Sequence, residues 1–317
     1  MINLIKNEWM KIFKRPGTYV MIGILLAIVC IFGAIEKYEV KGNNSSPDNR
    51  WEQNLKQENN ALKQQAKSAQ TKTEKDFYKQ KIVINEYRLK HNIPPDATTY
   101  HIWDFVNDAG GLIQLAGLFT IIISAGIVAS EFNWGTIKLL LIRPISRVMI
   151  LLSKYVTVLL FALLMLSILF VFATVVGAFL FGFPEQTSSY LNYVNGKVTE
   201  QNMVLHLMIY YGLNSINMIM LTTMAFMISS VFRNSSLAIG ISIFLLLTGA
   251  QITTLLAIKF SWAKYLLFAN TDLTQYFEGT PVVDGMTLGF SIIMLLLYFL
   301  VFQALAFSVF KKRDVAA

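Results

Sequence analysis

Residues 150–180 read ILLSKYVTVLLFALLMLSILFVFATVVGAFL, with a single charge, Lys154, near the start. At 1.5 Å per residue a helix of this length exceeds the ~30 Å hydrocarbon core of a bilayer. Comparable runs recur at approximately 111–130, 205–229, 237–258 and 286–309, and Thr18 to Ile35 forms an earlier one. None carries a charge at its centre, where one costs about 2.5–3.5 kcal/mol on insertion scales. Outside these runs the chain changes character, and the composition agrees with them: 55% of the 317 residues are hydrophobic and 15% charged. Soluble domains carry about 25% charged residues, and a soluble fold of this make-up would expose large apolar patches. The expected fold is an all-α integral membrane protein of six transmembrane helices. An interfacial helix precedes the first span, and a helical extracellular insert separates the first from the second.

The segment before the first span supports the interfacial reading. Ile2, Ile5, Trp9, Ile12 and Phe13 recur at helical spacing, while Lys6, Asn7, Lys11 and Lys14 fill the other face. This is the pattern of a helix lying in the membrane surface, and Arg15-Pro16-Gly17 breaks it. The organisation expected is a cytoplasmic helix over 1–17, the first span over 18–35, an insert over 36–108, spans two to six over 111–309, and a tail over 310–317. The first span is read as retained, because Phe32-Gly33-Ala34 puts a bulky residue where signal cleavage needs a small one. From Trp51 to Asn92 the insert has no Gly or Pro and is rich in helix formers. Trp51, Leu55, Leu62, Ala66 and Ala69 form one stripe and Phe77, Ile82 and Ile84 another. Gln70 to Thr73 could reverse the chain into a helical hairpin; one long charged helix is the alternative. Trp103 and Phe105, after Pro94-Pro95, are expected at the membrane surface.

Basic residues in the short loops set the orientation. Twelve lie in 1–17, 131–154, 230–236 and 310–317, against Lys197, Lys259 and Lys264 on the opposite side. Both ends are therefore expected in the cytoplasm of a cell whose plasma membrane holds the chain. The insert balances twelve basic residues with eleven acids and exceeds the ~60-residue reach of the rule. The net charge of +8 flanks apolar spans, which favours an anionic membrane surface over nucleic acid.

The chemistry of an enzyme is missing from the sequence. There is no Gly-x-x-x-x-Gly-Lys-Ser/Thr phosphate loop, no Gly-x-Ser-x-Gly elbow and no His-Glu-x-x-His helix. Cys30 is the one cysteine, and His91, His101 and His206 have no metal spacing. No catalytic residue, metal site or cofactor is expected in this chain.

The loop after the second span is more specific. It reads Glu131-Phe132-Asn133-Trp134-Gly135-Thr136, an apolar stretch containing Leu139, Leu140 and Ile142, then Arg143-Pro144-Ile145-Ser146-Arg147. By spacing alone it is a positive-inside loop with an amphipathic turn and a proline that fixes the chain direction. Glu131, Gly135, Thr136, Pro144, Ser146, Arg147 and Lys154, in that order, resemble the cytoplasmic loop of ABC-2 type transporter permeases. The opening Asn7-Glu8-Trp9 with Lys11, Lys14, Arg15 and Pro16 is similar to that family's start, and the bacitracin-type antibiotic-resistance permeases look most alike. The resemblance implies a non-catalytic permease subunit that pairs with a second permease and with a separate ATPase, which binds ATP and Mg. It implies that Glu131, Gly135, Thr136, Arg143, Pro144, Ser146 and Arg147, within 131–149, couple ATP turnover to helix motion. The cargo implied is an amphiphilic compound or peptide antibiotic. It also implies that 259–285 folds partly back into the membrane; a surface loop with an aromatic belt explains the same residues. The large insert departs from the family pattern.

Span four is polar for a lipid-facing helix, with Tyr210, Asn214 and Asn217 along one face. Gln114 and Gln251 are further uncharged polar groups within spans. These five are read as lining a route or a helix contact; interhelical hydrogen bonding, worth about 0.6 kcal/mol on average, explains them as well. Met218, Met220, Met224 and Met227 are read as packing. A membrane sensor or immunity protein that captures an extracellular ligand through the insert is the alternative function. A membrane-embedded lipid enzyme is a third, for which no acid/base constellation presents itself.

Overall fold

The computed structural model describes residues 1–42, 50–69, 72–94, 100–136, 144–184, 189–194, 196–232, 234–277 and 280–312. Six helical stretches of 25 to 35 residues are long and apolar enough to cross a membrane. The chain is a predominantly helical membrane protein.

A short helix, α1 (Ile2–Phe13), leads into α2 (Pro16–Gly42). The break between them sits at Lys14 and Arg15, with Pro16 at the first position of α2, where its missing N–H costs nothing. The first apolar helix continues past Ile35 and includes Glu36, Lys37, Glu39 and Lys41. Hydropathy alone cannot see this extension, because the added turns are charged. Lys37 donates to the carbonyl of Leu180 and lies 5.3 Å from the Phe181 ring.

Helices α3 (Trp51–Ser68) and α4 (Lys72–His91) lie side by side. Leu55, Leu62 and Ile82 are buried between them, and Asn85 donates to Asn59 across the pair at 3.1 Å. The second membrane-length helix starts at Ile102, nine residues before the expected 111, as α5 (Ile102–Ala109). A 3₁₀ turn at Gly110–Leu112 joins it to α6 (Ile113–Ile127), and α7 (Ala129–Asn133) follows. Asp104 accepts from the backbone N–H of His101 at 2.8 Å, a capping box that starts the helix there. Trp103 and Phe105 therefore lie in the first turn of this helix. Phe105 is fully buried between Phe32 and Phe181, with ring centroids 5.7 and 5.5 Å away, and Trp103 is half-buried. Asp104 and Asp108 had masked this turn as polar.

The longest helix, α8 (Arg147–Phe181), packs along α2, α5 and α6. Its Gly177 allows this approach: a Cβ there would meet Ile102 and Phe105 at 3.1–3.3 Å. Two strands then appear where a plain loop was expected, β1 (Ser189–Val194) and β2 (Lys197–Asn202), antiparallel with Val194 opposite Lys197. The pair Asn195-Gly196 is a strong hairpin signal, and Gly196 has φ +84°, which only glycine adopts freely. Helices α9 (Met203–Val231), α10 (Ser235–Lys259) and α12 (Leu288–Lys312) complete the bundle. Between α10 and α12, 3₁₀ turns and the short α11 (Leu267–Asn270) form a knot. Asn270 there donates to the carbonyls of Lys264 and Leu266 and accepts from Ser291.

The spans alternate in direction, so the bundle has two ends. At one end lie α1, α7, the start of α8 and the close of α12. At the other, α4 packs on both strands, Tyr87 donates to Glu200 at 3.2 Å, and Gln80 donates to the Phe277 carbonyl at 3.2 Å.

Candidate functional site

The first of these ends holds a cluster of buried charges. Glu8 projects from α1, Glu131 from α7 and Lys154 from the second turn of α8, and the three meet under Lys11. Lys154 Nζ donates to Glu8 Oε2 at 2.7 Å and to Glu131 Oε1 at 2.9 Å. Lys11 Nζ donates to Glu8 Oε1 and to Glu131 Oε1, both at 2.8 Å. The side chain of Lys154 is 1% exposed, those of Glu8 and Glu131 6% and 8%, and that of Lys11 36%. Two positive and two negative groups balance, which is the arrangement that lets charge be buried at all.

Thr136 closes the acid side: its hydroxyl donates to Glu131 Oε2, and Gly135, at φ +70°, turns the chain back so that it can. Burial alone would raise the Glu131 carboxyl. The charge of Lys154 and the hydrogen bonds from Lys11, Thr136 and Lys154 outweigh it and lower the carboxyl to about 2. Burial would likewise lower Lys11, but its bonds to Glu131 and Glu8 prevail and raise it.

The rest of the loop ties this cluster to other helices. Arg15 stacks its guanidinium 5.0 Å from the ring centroid of Trp134, whose side is otherwise open to solvent. Ser146 caps α8, its hydroxyl accepting from the Met149 N–H at 3.3 Å. Arg147 donates to the Lys311 carbonyl at 3.2 Å, at the close of α12. Pro144 is exposed. Arg143, with Leu139, Leu140 and Ile142, lies outside the described residues. Of the coupling residues proposed from the sequence, Glu131, Gly135 and Thr136 thus share one cluster, while Ser146 and Arg147 fix the entry of α8. Glu8 and Lys11 were not among them. The available signal was that Glu8 is the one acid before Glu36, on a helix whose other charges are all basic.

The polar residues of the spans divide. Gln114, Tyr210, Asn214 and Asn217 line a single cleft of about 250 Å³ between α6 and α9, with Leu246 of α10. Gln251 does not line it and is exposed on α10. Asn214 donates to the Tyr210 carbonyl at 2.9 Å. Among the described residues, no three His, Cys, Asp or Glu side chains group as metal ligands would.

Residues 76–316 match the family described as "Protein of unknown function (DUF2705)". The chain is 53% identical over 318 residues to the "Uncharacterized protein YhcI" of Bacillus subtilis (strain 168), covering all of both chains. It is 35% identical over 199 residues to the "Uncharacterized membrane protein YdbK" of the same organism, covering 62% of this chain and 76% of that one.

Proposed function

This chain belongs to the DUF2705 family, and we propose that within it this protein is the permease subunit of an ATP-driven exporter. It works without catalytic groups of its own; the ATPase that binds ATP and Mg is a separate subunit, and a second permease, identical or different, completes the pathway. The observation that carries the proposal is the buried cluster. Glu8, Glu131 and Lys154 belong to the two segments that resemble ABC-2 type permeases, and these segments are about 120 residues apart, yet their charges meet. A loop whose first residue is locked to α1 and α8, and whose last is bonded to α12, moves three helices together when a partner pushes on it. The exposed Trp134 and Pro144 offer that partner a surface.

In this reading α1 lies in the cytoplasmic interface of the plasma membrane. The charged end of the bundle and both chain ends face the cytoplasm, and the insert 36–108 faces outside. The cargo is an amphiphilic compound or peptide antibiotic. The test is co-purification from native membranes with a phosphate-loop ATPase, followed by ATPase assays of the assembly. Arg147→Glu is expected to leave the assembly intact and abolish stimulated turnover; an intact assembly with unchanged turnover refutes coupling through this loop.

A second reading, a sensor or immunity protein, is favoured by the docking of α4 on the β-hairpin, which links the insert to the spans. Deleting 45–95 separates the two. An exporter keeps ATP turnover without the insert, whereas a sensor loses its response.

A further inference from the structure

The polar face of α9 extends one turn beyond the residues singled out in the sequence. His206, Tyr210, Asn214 and Asn217 follow at intervals of four, four and three, one above another on the helix. At the hairpin end, His206 and Tyr210 line a second, more enclosed chamber of about 100 Å³ with Tyr190, Asn192 and Gln201 of the strands and Thr274 and Phe277. The Tyr190 and His206 rings stack at 3.5 Å, 10° from parallel. Tyr210 belongs to both spaces, so its ring is the wall between the chamber and the cleft that holds Gln114, Asn214 and Asn217. The glycine at the α5–α6 break makes room for that ring: a Cβ on Gly110 would stand 2.5 Å from Tyr210 Cε1.

The two compartments differ in chemistry. The chamber presents the amides of Asn192 and Gln201, two phenols and an imidazole among the apolar Ile209, Leu213 and Phe277, and among the described residues no Asp, Glu, Lys or Arg lines either space. Asp272, two residues before the lining Thr274, is engaged by the backbone N–H and hydroxyl of Thr274 at 2.9 and 2.6 Å. The cleft mixes Gln114 and two asparagines with Ile113, Ile121, Met218, Leu221 and Leu246, and its mouth residues Gly111 and Gln114 are exposed. Asn214 and Asn217 lie 11 and 14 residues into the 29-residue α9, about mid-depth at 1.5 Å per residue. Polar side chains at that depth are costly and mark functional pathways.

We propose that the chamber and cleft together form a binding site for a membrane amphiphile with an uncharged, hydroxyl- or amide-bearing headgroup. The headgroup sits among Tyr190, Asn192, Gln201 and His206, and the tail leaves past Tyr210 through the mouth at Gln114. The absence of charge among the described lining residues selects against anionic and cationic headgroups, since a buried unpaired ion is strongly disfavoured. The chamber is also too small for a folded peptide. This inference deepens the exporter reading by naming the class of its cargo, and rests on that reading for the word cargo alone.

The test uses the purified full chain in nanodiscs, without any ATPase, so a failed coupling experiment leaves its result intact. Three photoreactive lipids carry the same diazirine-labelled acyl chain: monoglucosyl diacylglycerol, phosphatidylglycerol and phosphatidylcholine. Peptide mapping is expected to find the glucosyl probe on residues 110–121 and 210–221, displaced by unlabelled glucosyl lipid. That labelling should fall about tenfold in Asn192→Ala/Gln201→Ala, the loss of two hydrogen bonds, while labelling of the exposed face of α12 stays constant and certifies the fold. Gly110→Ala, which displaces the Tyr210 ring, should redistribute the label between the two segments. Equal labelling by all three probes, or cleft labelling indifferent to the strand variants, overturns the proposal.

Discussion

Replacing Glu131 by Gln keeps the shape of the side chain and removes its charge from a cluster that has no spare anion. The remaining charges are then Lys11 and Lys154 against Glu8 alone. The carboxyl falls from its ordinary 4.5 to about 2 in the folded chain, and at about 1.36 kcal/mol per tenfold change this corresponds to about 3 kcal/mol of stabilisation. The independent expectation for breaking a buried ion pair is about 3–5 kcal/mol, so the two agree. For chains of this order each kcal/mol moves the unfolding midpoint by about 2–4 °C, which gives a drop of about 6–12 °C. The assay is thermal unfolding in detergent followed by tryptophan emission, with Trp9 and Trp134 reporting next to the cluster. The partner variant is Lys154→Met, and the double variant completes a cycle. Because Lys154 Nζ stands 2.9 Å from Glu131 Oε1, the double should lose less than the two singles combined, by at least 1 kcal/mol on the usual scale of contacting residues. Losses that simply add, or a midpoint unmoved by Glu131→Gln, would refute the idea that these charges hold each other.

Three further outcomes are expected. The Glu131 carboxyl is depressed in the folded state, so its contribution is complete above pH 4.5 and disappears as pH falls through about 2; the midpoint should decline across that window, less steeply in Glu131→Gln. Gly249→Val should destabilise by about 1–3 kcal/mol through overpacking, since a Cβ there would stand 2.3 Å from Phe268 Cζ. Gly212→Ala, with nothing within 4 Å, should be neutral or mildly stabilising in the same unfolding assay. In a Cys30→Ser background, Gln53→Cys on α3 should react with a membrane-impermeant maleimide in intact cells and Asn133→Cys only after permeabilisation; the reverse pattern would invert the proposed orientation.

The six apolar helices were legible because lipid-facing segments leave long uncharged runs, and their interiors fall where hydropathy puts them. Their ends were not legible. Glu36 to Lys41 continue the first helix, and Asp104 begins the second as a cap, so in both places charge belongs to the helix that it was taken to end. The β-hairpin is readable from Asn195-Gly196, a pair that favours a two-residue turn between short strands. The charge cluster was half visible. Glu131, Lys154, Glu8 and Lys11 all lie in segments that carry the resemblance, but a sequence carries no sign that α1 folds back on α8, so nothing in it joins Glu8 and Lys11 to the other two. Gln114, Asn214 and Asn217 face one cleft because α6 and α9 pack along one another, whereas Gln251 has similar chemistry on a helix face turned away.

Glu8 leaves the ribosome 146 residues ahead of Lys154, which at about 5–20 residues per second is a wait of roughly 7–30 s. During that interval Lys11, one helical turn away, is the counter-ion at hand, since the two already touch at 2.8 Å. The local pair can therefore chaperone the acid until the third span is threaded. The earliest-made helix is then fastened only when the third span arrives, and the beginning of the chain is clasped to its middle before the last three spans are made.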